Sequence, residues 1–115
     1  MRLTLREVAF ARSGEKGDTV YLAVIAYEEG DYELLRDAVT VSAVTEVFGK
    51  IVTRAVERYE LPKIGALNFV LGGALNGGRS RNLAFDESGK ALSSRLLSLS
   101  VEVPDDYLPR SRRPH

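Results

Sequence analysis

The residues best suited to chemistry lie close together at positions 12–18, between two strand-like runs. In chain order they are Arg12, Ser13, Gly14, Glu15, Lys16, Gly17 and Asp18. Glycine lets the backbone turn with positive φ or approach a ligand closely, and cations beside oriented amides bind anions. The sequence predicts an anion-binding loop in which Arg12 and Lys16 supply charge and Ser13 a hydroxyl. A tight turn whose charges pair with one another, Arg12 with Asp18 for example, is equally compatible with the spacing.

A second glycine-rich segment, at positions 72–80, is predicted to close over the same ligand. Its residues of interest are Gly72, Gly73, Gly77, Gly78 and Ser80. The alternative is a flexible hairpin tip with a bulge. Asn68 adds a polar group inside an otherwise apolar strand, and a buried amide must be hydrogen-bonded. It serves either as a tie to neighbouring backbone or as a group that faces the ligand.

Several kinds of site are excluded by composition. The chain has no cysteine, and His115 is its sole histidine, at the last position. A thiolate nucleophile, a histidine base and a zinc site of cysteines or histidines are therefore not expected, and neither a metal nor a cofactor is predicted. Neither glycine-rich segment has the spacing of a Walker loop or of a dinucleotide fingerprint. Acid–base chemistry would fall to Asp18 and Lys16, which are the catalytic candidates.

The size and charge of the chain predict one globular domain without a nucleic-acid or membrane partner. It has 115 residues, 44% of them hydrophobic, and 16 basic residues balance 16 acidic ones. A net charge of zero gives no electrostatic reason to bind nucleic acid, and the longest apolar runs are too short to span a bilayer. We expect a packed domain over residues 1–104, an extended tail over 105–115, and a cytoplasmic location.

Hydrophobic periodicity predicts an α+β fold. Strands are expected at 3–11, 20–27, 54–61 and 65–71, and the Asn76-Gly77 turn predicts a hairpin partner at 79–85. Helices are expected at 32–39 with Asp31 as N-cap, at 41–48 with Thr40 as N-cap, and from Lys90 onward. Two layers follow, a mainly antiparallel sheet with helices on one face. The other face would keep apolar residues exposed, which predicts a homo-oligomer.

Five blocks in order give the chain a resemblance to a known family. They are residues 12–18, residues 58–62, residues 66–71, Gly77-Gly78 with Ser80, and Asp86 with Gly89-Lys90. Over residues 7–103 the chain resembles the AtuA-like domain, named for acyclic terpene utilisation and described as ferredoxin-like. Two departures stand out: Asp18 occupies the place of a usual asparagine, and Tyr21-Leu22 that of a common Asn-Ile pair.

The resemblance implies a small subunit or accessory domain that works with a larger AtuA-type protein. The associated pathways degrade acyclic terpenoids and branched acids, largely as coenzyme A thioesters. The predicted ligand or partner surface would be formed by segments 12–18 and 72–80, binding an anionic or acyl small molecule or the partner itself. Two alternatives stay open: a stand-alone hydratase or isomerase using Asp18 and Lys16, and a pure protein-interaction module.

Overall fold

A computed structural model describes residues 1–74 and 89–108 of the chain. These residues form six strands and three α-helices. The strands are β1 (Arg2–Thr4), β2 (Ala9–Lys16), β3 (Thr19–Ala26), β4 (Val56–Leu61), β5 (Ala66–Leu71) and β6 (Ser100–Glu102). The helices are α1 (Tyr32–Ala38), α2 (Val41–Phe48) and α3 (Gly89–Leu97).

The main sheet has four strands in the order β2-β3-β5-β4, and each neighbouring pair is antiparallel. It follows that β3 and β4 run parallel to each other with β5 between them. The chain connects them through α1 and α2, which makes the split β-α-β unit of ferredoxin-like folds. A separate two-stranded sheet pairs β1 with β6 and ties the beginning of the described chain to its end.

The core lies between the main sheet and the helices. On β3 the alternate residues Val20, Leu22 and Val24 are completely buried, as period-two alternation requires when one face of a strand is covered. Apolar side chains from all three helices complete this layer: Leu35, Val44, Phe48, Leu92 and Leu96. The predicted two-layer α+β fold, with a mainly antiparallel sheet and helices on one face, is confirmed.

The two central helices begin and end for different physical reasons. The Thr40 hydroxyl accepts a hydrogen bond from the Ala43 amide at 3.0 Å, so Thr40 is the N-cap of α2 as predicted. Gly49, with φ of 52°, follows the last residue of α2. The prediction of Asp31 as an N-cap is wrong. A 3-10 turn precedes α1 and holds Asp31 out of the extended conformation that a cap needs, and its carboxylate accepts a bond from the Tyr107 hydroxyl at 2.8 Å.

Arg58 caps the other end of α1 from the edge strand β4. Its Nη1 donates to the carbonyls of Arg36 and Val39 at 2.7 and 3.0 Å, and its Nη2 to Glu60 at 3.1 Å. The carbonyls in the last turn of a helix have no partner within the helix. Arg58 therefore satisfies two of them and attaches α1 to the sheet.

Two strand predictions need correction. The single strand expected at 3–11 is divided by a 3-10 turn over Leu5–Glu7, which directs both Leu5 and Val8 into the core. The expected loop at 12–18 is strand as far as Lys16, because its backbone pairs with β3 residue by residue. The strands expected at 54–61 and 65–71 are observed at Val56–Leu61 and Ala66–Leu71. The hairpin partner expected at 79–85 lies outside the described residues.

The domain boundary at residue 104 stays a prediction, although one residue beyond it contacts the core. Tyr107 packs against the buried cluster, and its amide donates to the Pro104 carbonyl at 2.9 Å. No helix in residues 1–74 or 89–108 is long and apolar enough to cross a membrane.

Candidate functional site

A two-residue turn joins β2 to β3 and decides where the charged residues point. Lys16 pairs with Thr19, which leaves only Gly17 and Asp18 in the turn. Gly17 has φ of 63°, a left-handed conformation that favours glycine. Because side chains alternate along a strand, the predicted site residues of β2 separate. Arg12, Gly14 and Lys16 lie on the face away from the helices, whereas Ser13 lies on the opposite face.

The face of the main sheet that the described helices leave uncovered is called here the open face. Strand pairing arranges its residues in rows that cross β2, β3, β5 and β4 in that order. The three complete rows are Phe10–Ile25–Ala66–Leu61, Arg12–Ala23–Asn68–Tyr59 and Gly14–Tyr21–Val70–Glu57. Lys16 and Thr19 form the end of the face beside the hairpin turn. Arg12 and Asn68, from distant parts of the sequence, therefore share one row.

Aromatic rings occupy much of the open face. The ring centroids of Phe10 and Tyr27 are 5.5 Å apart, and the Arg12 guanidinium lies over Phe10 at 5.9 Å from its centroid. Such a distance allows a cation–π interaction. Tyr21 and Tyr59 keep 37% and 51% of their surfaces exposed. The face thus combines exposed rings, one amide and cations along a single edge.

Glu57 accepts a hydrogen bond from the Tyr59 hydroxyl at 3.2 Å on the opposite edge of the face. This bond, together with the negative charge of Glu57, raises the pKa of Tyr59. The phenol therefore stays protonated and serves as a donor and as an apolar ring, not as a base.

Asp18 is held by Arg54 and not by Arg12. The Arg54 guanidinium binds both carboxylate oxygens, at 2.7 and 2.8 Å, and also reaches the Thr19 hydroxyl at 3.3 Å. These bonds are the main reason that the pKa of Asp18 falls to about 2. A general base that works near neutrality needs a pKa close to the working pH. The geometry of Asp18 is therefore that of a structural ion pair at the hairpin turn.

Gly72 and Gly73 pack against residues 53–55, the segment that precedes β4 and contains Arg54. The Arg54 amide donates to the Gly72 carbonyl at 3.0 Å, the Gly72 amide donates to Ala55 at 3.0 Å, and the Thr53 hydroxyl donates to Gly73 at 3.2 Å. Gly73 has φ of 74°. A Cβ on Gly72 would stand 3.1 Å from the Arg54 Cβ. The positive φ of Gly73 favours glycine, and the close contact at Gly72 leaves little room for a side chain.

The structure thus brings together some of the predicted binding residues and separates others. Arg12, Gly14, Lys16 and Asn68 share the open face, Gly17 and Asp18 form the turn, and Ser13 lies on the helix side. Gly77, Gly78 and Ser80 lie outside the described residues. Within the part of the chain that the structure describes, no group of histidine, cysteine, aspartate or glutamate residues is placed to hold a metal ion.

Sequence reasoning missed Arg54, Tyr21 and Tyr59 as members of the site. Tyr21 lies in a run that is apolar at every position, so the sequence did not show that it faces away from the core, as the burial pattern of β3 does. Tyr59 joins it only through the pairing of β4 with β5. Arg54 reaches Asp18 across 36 positions, and no local pattern indicates such a contact.

The fold and the site define a class: a two-layer α+β domain with a split β-α-β unit and an open sheet face. The sequence profile of the AtuA ferredoxin-like domain matches residues 3–102. The chain therefore belongs to the AtuA ferredoxin-like domain family. No match was found among curated proteins or among solved structures.

Proposed function

We propose that this chain is an accessory domain or small subunit associated with the catabolism of acyclic terpenoid or branched acyl compounds, including their coenzyme A thioesters. Its open face would dock onto a larger AtuA-type protein. The family match supports the pathway context. The observation that carries the docking role is the exposure of Tyr21 and Tyr59 beside Arg12 and Asn68 on the sheet face that the described helices leave uncovered.

The chemistry of this face is that of recognition. Tyrosine and arginine are enriched at residues that dominate binding energy at protein interfaces. Arg12 offers a planar set of donors above an aromatic ring, and Asn68 offers both a donor and an acceptor. An anionic or acyl ligand would bind at the same row, with its charged group near Arg12 and Asn68.

A stand-alone hydratase or isomerase is the less favoured function. Its catalytic carboxylate would be Asp18, which is engaged on both oxygens by Arg54. Lys16, the other candidate, is exposed at the end of β2. Turnover of acyl thioesters by the purified chain, lost in Lys16→Ala, would establish the enzymatic alternative.

The docking proposal is tested by isothermal titration of the chain against the larger AtuA-type protein from the same source. Tyr59→Ala and Arg12→Ala change the open face, while Val41→Ala and Arg95→Ala are matched controls on α2 and α3. We expect each open-face variant to weaken binding by roughly tenfold or more, a typical loss for a dominant interface residue. The controls should stay within about twofold, the range of a near-neutral surface change.

Two results would contradict the proposal. One is unchanged affinity in both open-face variants, with thermal melts that show all four variants to be folded. The other is an equal loss in the helix-side controls, which would move the docking surface to the other side of the domain.

A further inference from the structure

Four large apolar side chains are exposed on the open face or beside it. Tyr21, Tyr59 and Leu61 are 37%, 51% and 39% exposed, and Ile64, in the turn between β4 and β5, is 63% exposed. Contiguous apolar patches on soluble domains mark interaction sites. An exposed apolar surface of this kind is expected to bind a partner, and the positions of its charged residues indicate which partner.

Opposite charges lie at opposite edges of the open face. Arg12 and Lys16 lie on β2 at one edge, and Glu57 lies on β4 at the other. The two central strands place only uncharged residues on this face: Thr19, Tyr21, Ala23 and Ile25 from β3, and Ala66, Asn68 and Val70 from β5. Such a surface is complementary to itself. When a second copy is rotated by half a turn and placed face to face with the first, its negative edge lies against the positive edge of the first copy.

We propose that two copies of this chain pack open face to open face about a two-fold axis that runs parallel to the strands, between β3 and β5. This rotation places β2 of one copy over β4 of the other and β3 over β5. Sheets packed face to face keep their strand directions within about 30° of each other, which preserves the row-by-row matching. Closed two-fold symmetry is also the commonest way in which identical chains associate.

Side-chain sizes match under this rotation. Tyr21 lies over Val70 of the second copy, and Ile25 over Ala66. Gly14 lies over Glu57, and its missing side chain leaves room for the carboxylate between Arg12 and Lys16. The pairs Tyr21 with Val70, Ile25 with Ala66, and Glu57 with Gly14 therefore set a large group against a smaller one, the alternation that lets two surfaces interdigitate.

The polar groups of the face also find partners. Arg12 lies over the Tyr59 ring of the second copy, within reach of a cation–π contact. Asn68 lies next to the axis, over Ala23 of the second copy, and its symmetry mate lies diagonally across the axis. A carboxamide carries a donor and an acceptor, and the small Ala23 side chain leaves room for the two amides to turn towards each other across the axis. The carboxylate of Glu57 thus lies beside the cations of the second copy when the two faces meet.

The proposed dimer uses the same face as the proposed function, and it rests on that function only in the choice of this face. A second copy covers the face when the chain is alone, and the larger protein must displace it. The apparent dissociation constant for the larger protein should consequently rise as the concentration of this chain increases.

Sedimentation equilibrium of the full chain at micromolar concentration is the test. We expect twice the mass of one 12.7 kDa chain. Arg12→Glu should weaken the dimer by at least tenfold, and Arg12→Glu combined with Glu57→Arg should recover part of that loss, because the pairs between positions 12 and 57 are attractive again while Lys16 then faces a like charge. Tyr21→Asp should abolish the dimer. Lys50→Glu, a charge reversal at an exposed residue outside the sheet, is the control.

A wild-type mass of 12.7 kDa, or a dimer that survives both Arg12→Glu and Tyr21→Asp, would overturn the inference. The charge-reversed double variant keeps the test decisive if Tyr21→Asp fails to fold. A monomer that still binds the larger protein refutes the second copy and leaves the proposed function standing. A dimer that binds no larger protein gives the reverse outcome.

Discussion

Removing the guanidinium of Arg58 should destabilise the domain by releasing α1 from the sheet. Helix α1 has seven residues, and a helix of this length is not stable by itself in water. Arg58 supplies partners for two carbonyls at its C-terminal end, those of Arg36 and Val39, and only 20% of the Arg58 side chain is exposed. Arg58→Met keeps the apolar stem and removes only the donors.

The magnitude follows from those two bonds. A hydrogen bond from a charged donor contributes roughly 1.5–3 kcal/mol net, and two bonds that share one nitrogen and are replaced in part by water should together contribute about 2 kcal/mol. For a domain of this size, that loss lowers the melting temperature by about 8 °C. Arg58→Lys should recover about half of the loss, since a lysine keeps the charge and loses the planar fork.

Urea unfolding followed by far-ultraviolet circular dichroism measures the free-energy change, and amide hydrogen exchange locates it. Arg6→Met, at an exposed arginine outside the sheet, is the matched control and should unfold like the wild type. Exchange should accelerate first in α1. Equal stability of Arg58→Met and Arg6→Met, with unchanged protection of α1, would refute the assignment of Arg58 as the cap of this helix.

Two further predictions concern the hairpin turn and the glycines that pack beside it. Hydrogen bonds from Arg54 lower the pKa of Asp18 from 3.8 to about 2, so the ionised pair stabilises the fold above pH 4 and the gain is lost as pH falls towards 2. Asp18→Asn should therefore have a lower free energy of unfolding than the wild type at neutral pH, and this difference should shrink in acid. Urea titrations at several pH values measure the difference. A difference that does not change with pH would show that the ionisation of Asp18 does not contribute to stability. Gly73→Ala should cost about 1–2 kcal/mol because of its left-handed backbone, and more if the Thr53 hydroxyl, which a Cβ would meet, cannot turn away; Gly30→Ala, with open space around it, should be near neutral in the same thermal melts.

Local sequence determined the elements whose signals lie within a few residues. The Thr40 hydroxyl lies three residues from the amide that it caps, and Gly49 ends the same helix, so both ends of α2 could be read from the chain. These features depend on contacts along one helix turn, which the order of residues fixes directly. The apolar run of β3 predicted a strand buried on both faces, and the structure corrects this, because one face of β3 stays partly exposed.

Segment 12–16 shows where local reading failed. Serine, glycine and charged residues favour turns when only the local sequence is considered. In the structure, however, each of these positions pairs with a residue of β3. The ladder of backbone hydrogen bonds, and a partner strand buried in the core, outweigh the local preference. Asp31 failed as a cap for a similar reason, because a distant tyrosine takes its carboxylate.

The sequence by itself determined the two-layer fold, the absence of cysteine chemistry, and the choice of Arg12 and Asn68 as residues of interest. Only the tertiary structure decided that these two share a row with Tyr59, and that Asp18 pairs with Arg54. The physical reason is that strand order and register bring together residues that are tens of positions apart. Periodicity reports which face of one strand is buried, but only the pairing of strands fixes which side chains meet across the sheet.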